Sequence, residues 1–248
     1  MASDLSRPPS VSLLIPAFNE EATIGAVIEQ ADAVLRQCAP DHEIIVLDDA
    51  STDRTFEIAQ DAVRQYASLR VVRHAVNQGI AATFEELYRL ANKDFVFLVS
   101  GDGQFPPETL LRCVPLLDRY DIVVCRRTYK HYTPYRHAVS LLYRWLPRLL
   151  FGIDVIDPGG VKVVKREIYA RVPVFSRGVF VEAERLIGAV RAGYRLASVD
   201  MVQTPRRAGT SRGARLSTVA AAGMDLIRCW FRSFGRHRPD HHGDPWRD

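Results

Sequence analysis

The stretch VFLVSGDGQFPPE, residues 96–108, decides how this chain folds. With Phe95 it begins as an apolar run of aromatic and β-branched residues, too short for a helix and broken at Ser100-Gly101. Such a run is a buried strand. One aspartate follows, Asp102, held between Gly101 and Gly103, and then Gln104, an aromatic and two prolines. A lone carboxylate on a glycine-flanked turn at the end of a buried strand is placed for use.

Working outward, the same pattern repeats on both sides. Apolar runs predict strands at Val11–Ile15, Glu43–Leu47, Leu69–Arg73 and Ile122–Cys125. Between them, helical spacing predicts helices over Glu20–Cys38, Thr52–Tyr66 (capped by Ser51 or Asp53), Ile80–Leu90 and Pro107–Leu117. Strand alternating with helix implies a parallel sheet sandwiched by helices, with right-handed crossovers. Ligands then sit beyond the carboxyl ends of the strands. The polar residues cluster there: Pro16–Glu20, Asp48-Asp49 and Asp102. The last third is less regular. It reads as a basic amphipathic helix over Tyr135–Phe151, a DPGG turn into a strand, a helix over Val181–Ala192, a strand over Leu196–Val202 and a closing helix over Arg215–Phe234.

Composition narrows the classes. With 248 residues, 47% of them hydrophobic, the chain can bury a sizeable core without disulfides or metal staples. The four cysteines show no metal spacing, so core filling in a reduced, intracellular protein is expected. The opening MASDLSRPPS lacks a basic region followed by an apolar one, so no secretory signal is expected, and no uncharged apolar run reaches the roughly 18 residues that cross a bilayer. Residues 206–238 hold eight arginines and one aspartate, which leaves the rest of this +4 chain acidic. An anionic partner for that segment is expected, a phosphate or lipid headgroup. Nucleic acid is disfavoured because the arginines are not interleaved with a stacking platform.

Five motifs in order, IPAFNEE (15–21), VLDDASTD (46–53), NQG (77–79), GDGQFPPE (101–108) and VDMVQTPRRAGTSR (199–212), resemble family 2 glycosyltransferases. The branch they look most like is the dolichyl- and polyprenyl-phosphate mannosyl and glucosyl synthases. The resemblance implies a GT-A fold: α/β, Rossmann-like, a mostly parallel sheet flanked by helices, here with a C-terminal amphipathic helix. The implied layout is a flexible N-terminus over 1–10, the transferase domain over 11–213, the helix over 214–235 and a tail.

What the resemblance implies for individual residues is as follows. Pro16, Phe18, Glu20, Asp49, Gly101 and Asp102 match positions that bind the nucleotide sugar, of GDP-mannose or UDP-glucose type, with Phe18 standing for a tyrosine. Asp102 and Gln104 match Mg²⁺ or Mn²⁺ ligands, while Ser100 replaces the first acid of the metal motif. A cation on a diphosphate already has phosphate and water oxygens, so one carboxylate and one amide suffice. Arg127, Arg136, Ser140, Arg206, Ser211 and Arg212 match groups around an acceptor phosphate, which guanidinium forks grip at two points. Asp102, Arg127, Arg136 and Arg206 are the expected catalytic set. Arg126 and Arg148 read as surface charge.

The implied reaction is inverting transfer of a hexose to a polyprenyl phosphate. A phosphate oxygen is already anionic near neutral pH and needs no general base, whereas a sugar hydroxyl does. Glu182 and Glu184 are the only late acids that could serve as such a base, which keeps open a soluble transferase acting on a hydroxyl. A silent nucleotide-sugar binding protein is the third reading. A lipid acceptor also needs a membrane. Leu226, Ile227, Trp230, Phe231 and Phe234 on one helix, and Trp145, Leu149 and Phe151 on another, stand beside arginines. Peripheral attachment at the cytoplasmic face of the membrane is the expectation, with a second copy or a membrane-anchored partner as further candidates.

Overall fold

The computed structural model describes residues 8–128, 145, 148–152, 157, 160–176, 180–201 and 223–230. The strands are β1 (Val11–Ala17), β2 (His42–Asp48), β3 (Leu69–Arg73), β4 (Phe95–Leu98), β5 (Ile122–Arg127), β6 (Lys162–Lys165) and β7 (Leu196–Met201). The helices are α1 (Ile24–Cys38), α2 (Thr55–Ala62), α3 (Ile80–Leu90), α4 (Leu110–Cys113), α5 (Glu167–Arg171) and α6 (Val181–Arg191). Residues 223–230 are also helical.

All seven strands form one sheet in the order β3-β2-β1-β4-β6-β5-β7. β1, β2, β3 and β4 are parallel. β6 pairs antiparallel with both β4 and β5, and β5 is parallel to β7. Six strands therefore point the same way, and their carboxyl ends share one edge of the sheet. The mostly parallel α/β sheet expected from the sequence is present.

Alternation along the strands divides the core. Val11, Leu13 and Ile15 of β1 face α1 on one side, with Ile44, Val46 and Phe97. Leu14, Ile45, Leu47 and Val96 face the other side, against Leu87 and Tyr88 of α3. α1 forms because Ile24, Val27, Ile28, Ala31, Val34 and Leu35 lie on one buried face. Fully burying each large aliphatic side chain contributes roughly 1.5–3 kcal/mol. Cys113 and Cys125 are core residues with their thiols 3.6 Å apart, and all four cysteines are free.

Several boundaries differ from expectation, each for a physical reason. α1 starts at Ile24 rather than Glu20, and α2 at Thr55 rather than Thr52. The amides of Asn19, Glu20, Glu21, Thr52 and Arg54 are committed instead to side chains across the two loops. The helix read over Pro107–Leu117 breaks into a 3₁₀ turn, the single turn of α4 and a second 3₁₀ turn. Pro115 lies in the last of these and has no N–H to continue an α-helical ladder. α5 carried no sequence expectation. Ser10, placed with a flexible N-terminus, is 7% exposed, and it receives the Asp94 amide on its hydroxyl and the Phe95 amide on its carbonyl. The proposed helix over Tyr135–Phe151 lies mostly outside the described residues, as do the ends of the 214–235 helix.

Candidate active site

Three loops converge on the carboxyl edge of the sheet. Gly101 approaches β1 closely: its N–H reaches the Pro16 carbonyl at 3.2 Å, and a Cβ there would stand 3.1 Å from that oxygen. Its own carbonyl accepts the Thr23 hydroxyl at 2.7 Å. Any larger residue here would have to push the two strand ends apart by a few tenths of an ångström.

The loop after β1 is stitched to the loop after β2. Asn19 N–H donates to Ser51 Oγ at 2.9 Å, and Thr52 N–H returns a bond to Asn19 Oδ1 at 2.9 Å. Glu20 N–H donates to Thr55 Oγ1, Glu21 N–H donates to Asp53 Oδ2, and Arg54 N–H donates to Glu21 Oε2. For Asp53, burial alone would raise the pKa, but the Thr55 hydroxyl and the Thr55 and Glu21 amides outweigh it and hold the carboxyl below its ordinary value. Asp53 accepts the Thr55 amide at 3.0 Å, but the N-cap position of α2 falls on Arg54, which makes no side-chain cap bond, so neither Ser51 nor Asp53 is the N-cap expected. Phe18 is half-buried beside this seam.

Asp49 is 4% exposed. Its Oδ1 lies 2.6 Å from His74 Nδ1 and accepts Gln78 N–H at 2.8 Å, while Oδ2 accepts Gly79 N–H at 2.9 Å. The NQG motif is thereby explained: its backbone, with Gly79 at φ 85°, wraps the carboxylate and starts α3. Neighbouring Asp48 is fully buried and bonds Arg73 Nε at 3.1 Å and Ser51 N–H at 3.2 Å.

Asp102 is 5% exposed, with Oδ1 accepting the Gln104 amide at 3.0 Å across a turn in which Gly103 has φ 68°. Carboxylate and amide oxygens are hard donors of the kind Mg²⁺ and Mn²⁺ take. Among the described residues no three His, Cys, Asp or Glu side chains gather as a metal cage. A cation here would complete its shell from substrate and water.

At the end of β5, Arg127 meets Asp157 in a two-point pair: Nε to Oδ2 at 2.7 Å and Nη2 to Oδ1 at 2.5 Å. Both side chains are largely buried. A Cβ on Gly160 would clash with the Cys125 carbonyl at 2.9 Å and the Asp157 carbonyl at 3.0 Å, so this loop can approach β5 only with glycine there. The non-glycine residues described with positive φ are Asn19, Ala50 and Asp157. All three lie on the carboxyl edge, where strained backbone is commonly kept for function.

Strand spacing turns this edge into a ruler. β2 lies two strands from β4, and β4 two from β5. Each step is about 5 Å, so the strands that lead to Asp49, Asp102 and Arg127 are roughly 10 Å apart in turn across the sheet.

Glu182 and Glu184 are both engaged by groups of the fold itself. Glu184 is 5% exposed, and its carboxylate accepts the Phe175 and Ser176 amides at 2.8–3.2 Å. Glu182 bonds Lys162 Nζ at 2.9 Å and the Tyr88 hydroxyl at 3.2 Å. Burial alone would raise the Glu182 pKa, but the Lys162 ammonium, together with the Arg185 charge and the Tyr88 hydroxyl, outweighs it and lowers the pKa. Arg126 pairs with Asp200 at the surface, as read. Arg136, Ser140, Arg206, Ser211 and Arg212 lie outside the described residues. Asn19, His74 and Asp157 were not singled out from the sequence. A histidine closing a strand on the ligand edge was the available signal for one of them.

A model of the family Glycosyl transferase family 2 matches residues 12–171. The chain is 30% identical over 151 residues to an undecaprenyl-phosphate 4-deoxy-4-formamido-L-arabinose transferase of Aeromonas hydrophila, covering 60% of this chain and 46% of that one. It is 27% identical over 240 residues to a dodecaprenyl-phosphate galacturonate synthase of Rhizobium johnstonii, covering 93% and 69%. The chain thus spans less than half of the first relative and about two thirds of the second. Its fold is similar to glucosyl-3-phosphoglycerate synthase of Mycobacterium tuberculosis, solved with Mn²⁺, UDP and glucosyl-3-phosphoglycerate. That match has a TM-score of 0.67 and 24% identity, covering 94% of this chain and 81% of the other.

Proposed function

The chain belongs to glycosyltransferase family 2, and from that premise we propose that it moves a hexose from a nucleotide-diphosphate sugar to a polyprenyl phosphate, inverting the anomeric carbon in one displacement. In this reading Pro16, Phe18, Glu20 and Asp49 hold the nucleoside, Gly101 and Asp102 face the diphosphate, and Arg127 with Arg136, Ser140, Arg206, Ser211 and Arg212 receives the acceptor phosphate. Mg²⁺ or Mn²⁺, carried by Asp102 and Gln104, would neutralise charge on the leaving diphosphate. The protein's own part is to align the two phosphates along the sheet edge, with Arg127 orienting the attacking oxygen.

One observation carries the choice of acceptor. Both glutamates that could activate a hydroxyl are spent, Glu182 on Lys162 and Tyr88 and Glu184 on two backbone amides. A phosphate acceptor needs no such base. The two relatives quoted by sequence, both named for polyprenyl phosphates, point the same way. The test is transfer from radiolabelled UDP-hexoses and GDP-mannose to undecaprenyl phosphate in anionic vesicles, against soluble glycan acceptors. Lipid-linked product is expected. Product on glycans alone would select the hydroxyl reading, and no product on any acceptor would select a silent binding protein.

The membrane face is narrower than the sequence suggests. Leu226 is 5% exposed and packs with Leu150, Phe151 and Cys229, while Trp230 Nε1 donates to the Leu150 carbonyl at 3.1 Å. These side chains cover the sheet, because β5, β6 and β7 need an apolar lid on that side. Trp145, Leu149, Met224 and Ile227 remain exposed, with Arg148 over the Trp145 ring. They are the contact proposed for the cytoplasmic leaflet. Among the described residues no helix is long and apolar enough to cross a membrane.

Glu182→Gln gives a separate check. It leaves the Lys162 ammonium, 10% exposed, without its counter-charge, at a cost on the order of 3 kcal/mol. In a chain of this size that lowers Tm by roughly 6–12 °C. Turnover at low temperature is expected to stay within a few-fold of wild type. Lost turnover at an unchanged Tm would make Glu182 a base.

A further inference from the structure

His74 follows β3 on the ligand edge and is 5% exposed. Its Nδ1 meets Asp49 Oδ1 at 2.6 Å, and its Nε2 meets Glu86 Oε2 of α3 at 2.9 Å. Its backbone N–H donates to the Asp48 carbonyl at 2.9 Å. A neutral imidazole has one N–H, so two carboxylates on its two nitrogens require the imidazolium. Burial alone would lower the His74 pKa, but the bonds to Asp49 and Glu86 outweigh it and raise it. Of the other charges nearby, Arg73 is engaged with Asp48, and Glu85 of α3 with Arg185.

The consequence falls on Asp49. A carboxylate offers about four lone-pair sites. Oδ1 spends two, on His74 and the Gln78 amide, and Oδ2 spends one on Gly79. One acceptor site on Oδ2 is left. We infer that His74 is a positioning residue that locks Asp49 with this single site for the donor base, and that the site selects a base presenting one N–H. Uracil presents one such group on its pairing edge. Guanine presents an adjacent N–H and NH₂, and its second donor would go unmatched. The inference rests on the proposed donor site and names its nucleotide class.

The test uses the full chain and the probes UDP and GDP. Calorimetry gives their affinities, steady-state rates give donor and acceptor KM and kcat, and a thermal melt checks the fold. His74→Leu removes the pin, whereas His74→Asn keeps an N–H for Asp49 but cannot titrate. Losing one charge-assisted hydrogen bond to the carboxylate predicts UDP binding weaker by on the order of tenfold to a hundredfold in His74→Leu. Donor KM should rise with it while acceptor KM stays, and His74→Asn should recover most of the loss. The raised pKa sets the sign of the pH effect: UDP affinity in wild type is full below it and falls as pH rises through it, and the Asn variant is flat there. Wild type should bind GDP at least about tenfold more weakly than UDP.

Equal UDP affinity in wild type and a folded His74→Leu overturns the positioning role, as does a wild-type pH profile in the Asn variant. If the Leu variant does not fold, the Asn variant and its pH profile decide. GDP binding as tight as UDP overturns the base selection. Wild type that binds UDP yet fails on polyprenyl phosphate removes the acceptor reading and leaves this inference standing; wild type that binds neither nucleotide removes the donor site itself.

Discussion

Asp102→Asn is expected to lower transfer by about 10³-fold, roughly 4 kcal/mol of barrier, while leaving the fold intact. The fold survives because asparagine keeps an oxygen to accept the Gln104 amide, the bond that shapes the turn. Only the negative charge is lost. In the proposed reading that charge faces the diphosphate, at a site 5% exposed where water does little to replace it. Ser100→Asp adds a second acid two residues away and should keep or tighten dependence on divalent metal. The measurement is initial rate against Mg²⁺ and Mn²⁺ concentration, with EDTA as the blank. Near-normal turnover of Asp102→Asn in EDTA would remove Asp102 from the metal and diphosphate site.

Arg127→Ala should be nearly as damaging, by about 10²–10³-fold, with acceptor KM rising more than donor KM. Stability confounds this experiment unless it is separated. The Arg127–Asp157 pair is largely buried, and removing one partner strands the other at a cost of roughly 3–5 kcal/mol. The double variant Arg127→Ala with Asp157→Ala removes both charges and should regain much of that stability. Turnover should not return with it, because the acceptor phosphate still lacks its guanidinium. Recovery of both together would make Arg127 a structural residue only. Arg127→Lys should be intermediate, since an ammonium keeps the charge but loses the planar fork.

The strands were legible because buried apolar runs leave few alternatives, and Leu69–Arg73 and Ile80–Leu90 match the structure to the residue. The candidate donor site was legible for a related reason: polar residues ending apolar strands must meet on one edge once the sheet is parallel. What the residues could not show was strand direction. Lys162–Lys165, KVVK, reads the same whichever way it runs, and its antiparallel place comes from pairing between β4 and β5. Burial partners were equally hidden. Glu184 is read from sequence as a base or a structural acid, and only the folded backbone of 175–176 distinguishes them. Leu226 and Ile227 are adjacent on one helix, yet one is buried and the other exposed, because only one meets the sheet. Asp157 sits in a turn motif that says nothing of Arg127, 30 residues away.

The reversed strand has a consequence for the order in which this sheet can be made. β5 is synthesised before β6, but it reaches β4 only through β6. As the chain leaves the ribosome, the four-stranded half bearing Asp49 and Asp102 can close by itself, whereas the strand bearing Arg127 must wait for residues 162–165. Until they arrive, Phe95–Leu98 is an open apolar edge, the kind of edge on which unfinished chains stick to one another. The half proposed to hold the donor is thus complete before the half proposed to receive the acceptor, and the join between them is the last part of the sheet's centre to be filled.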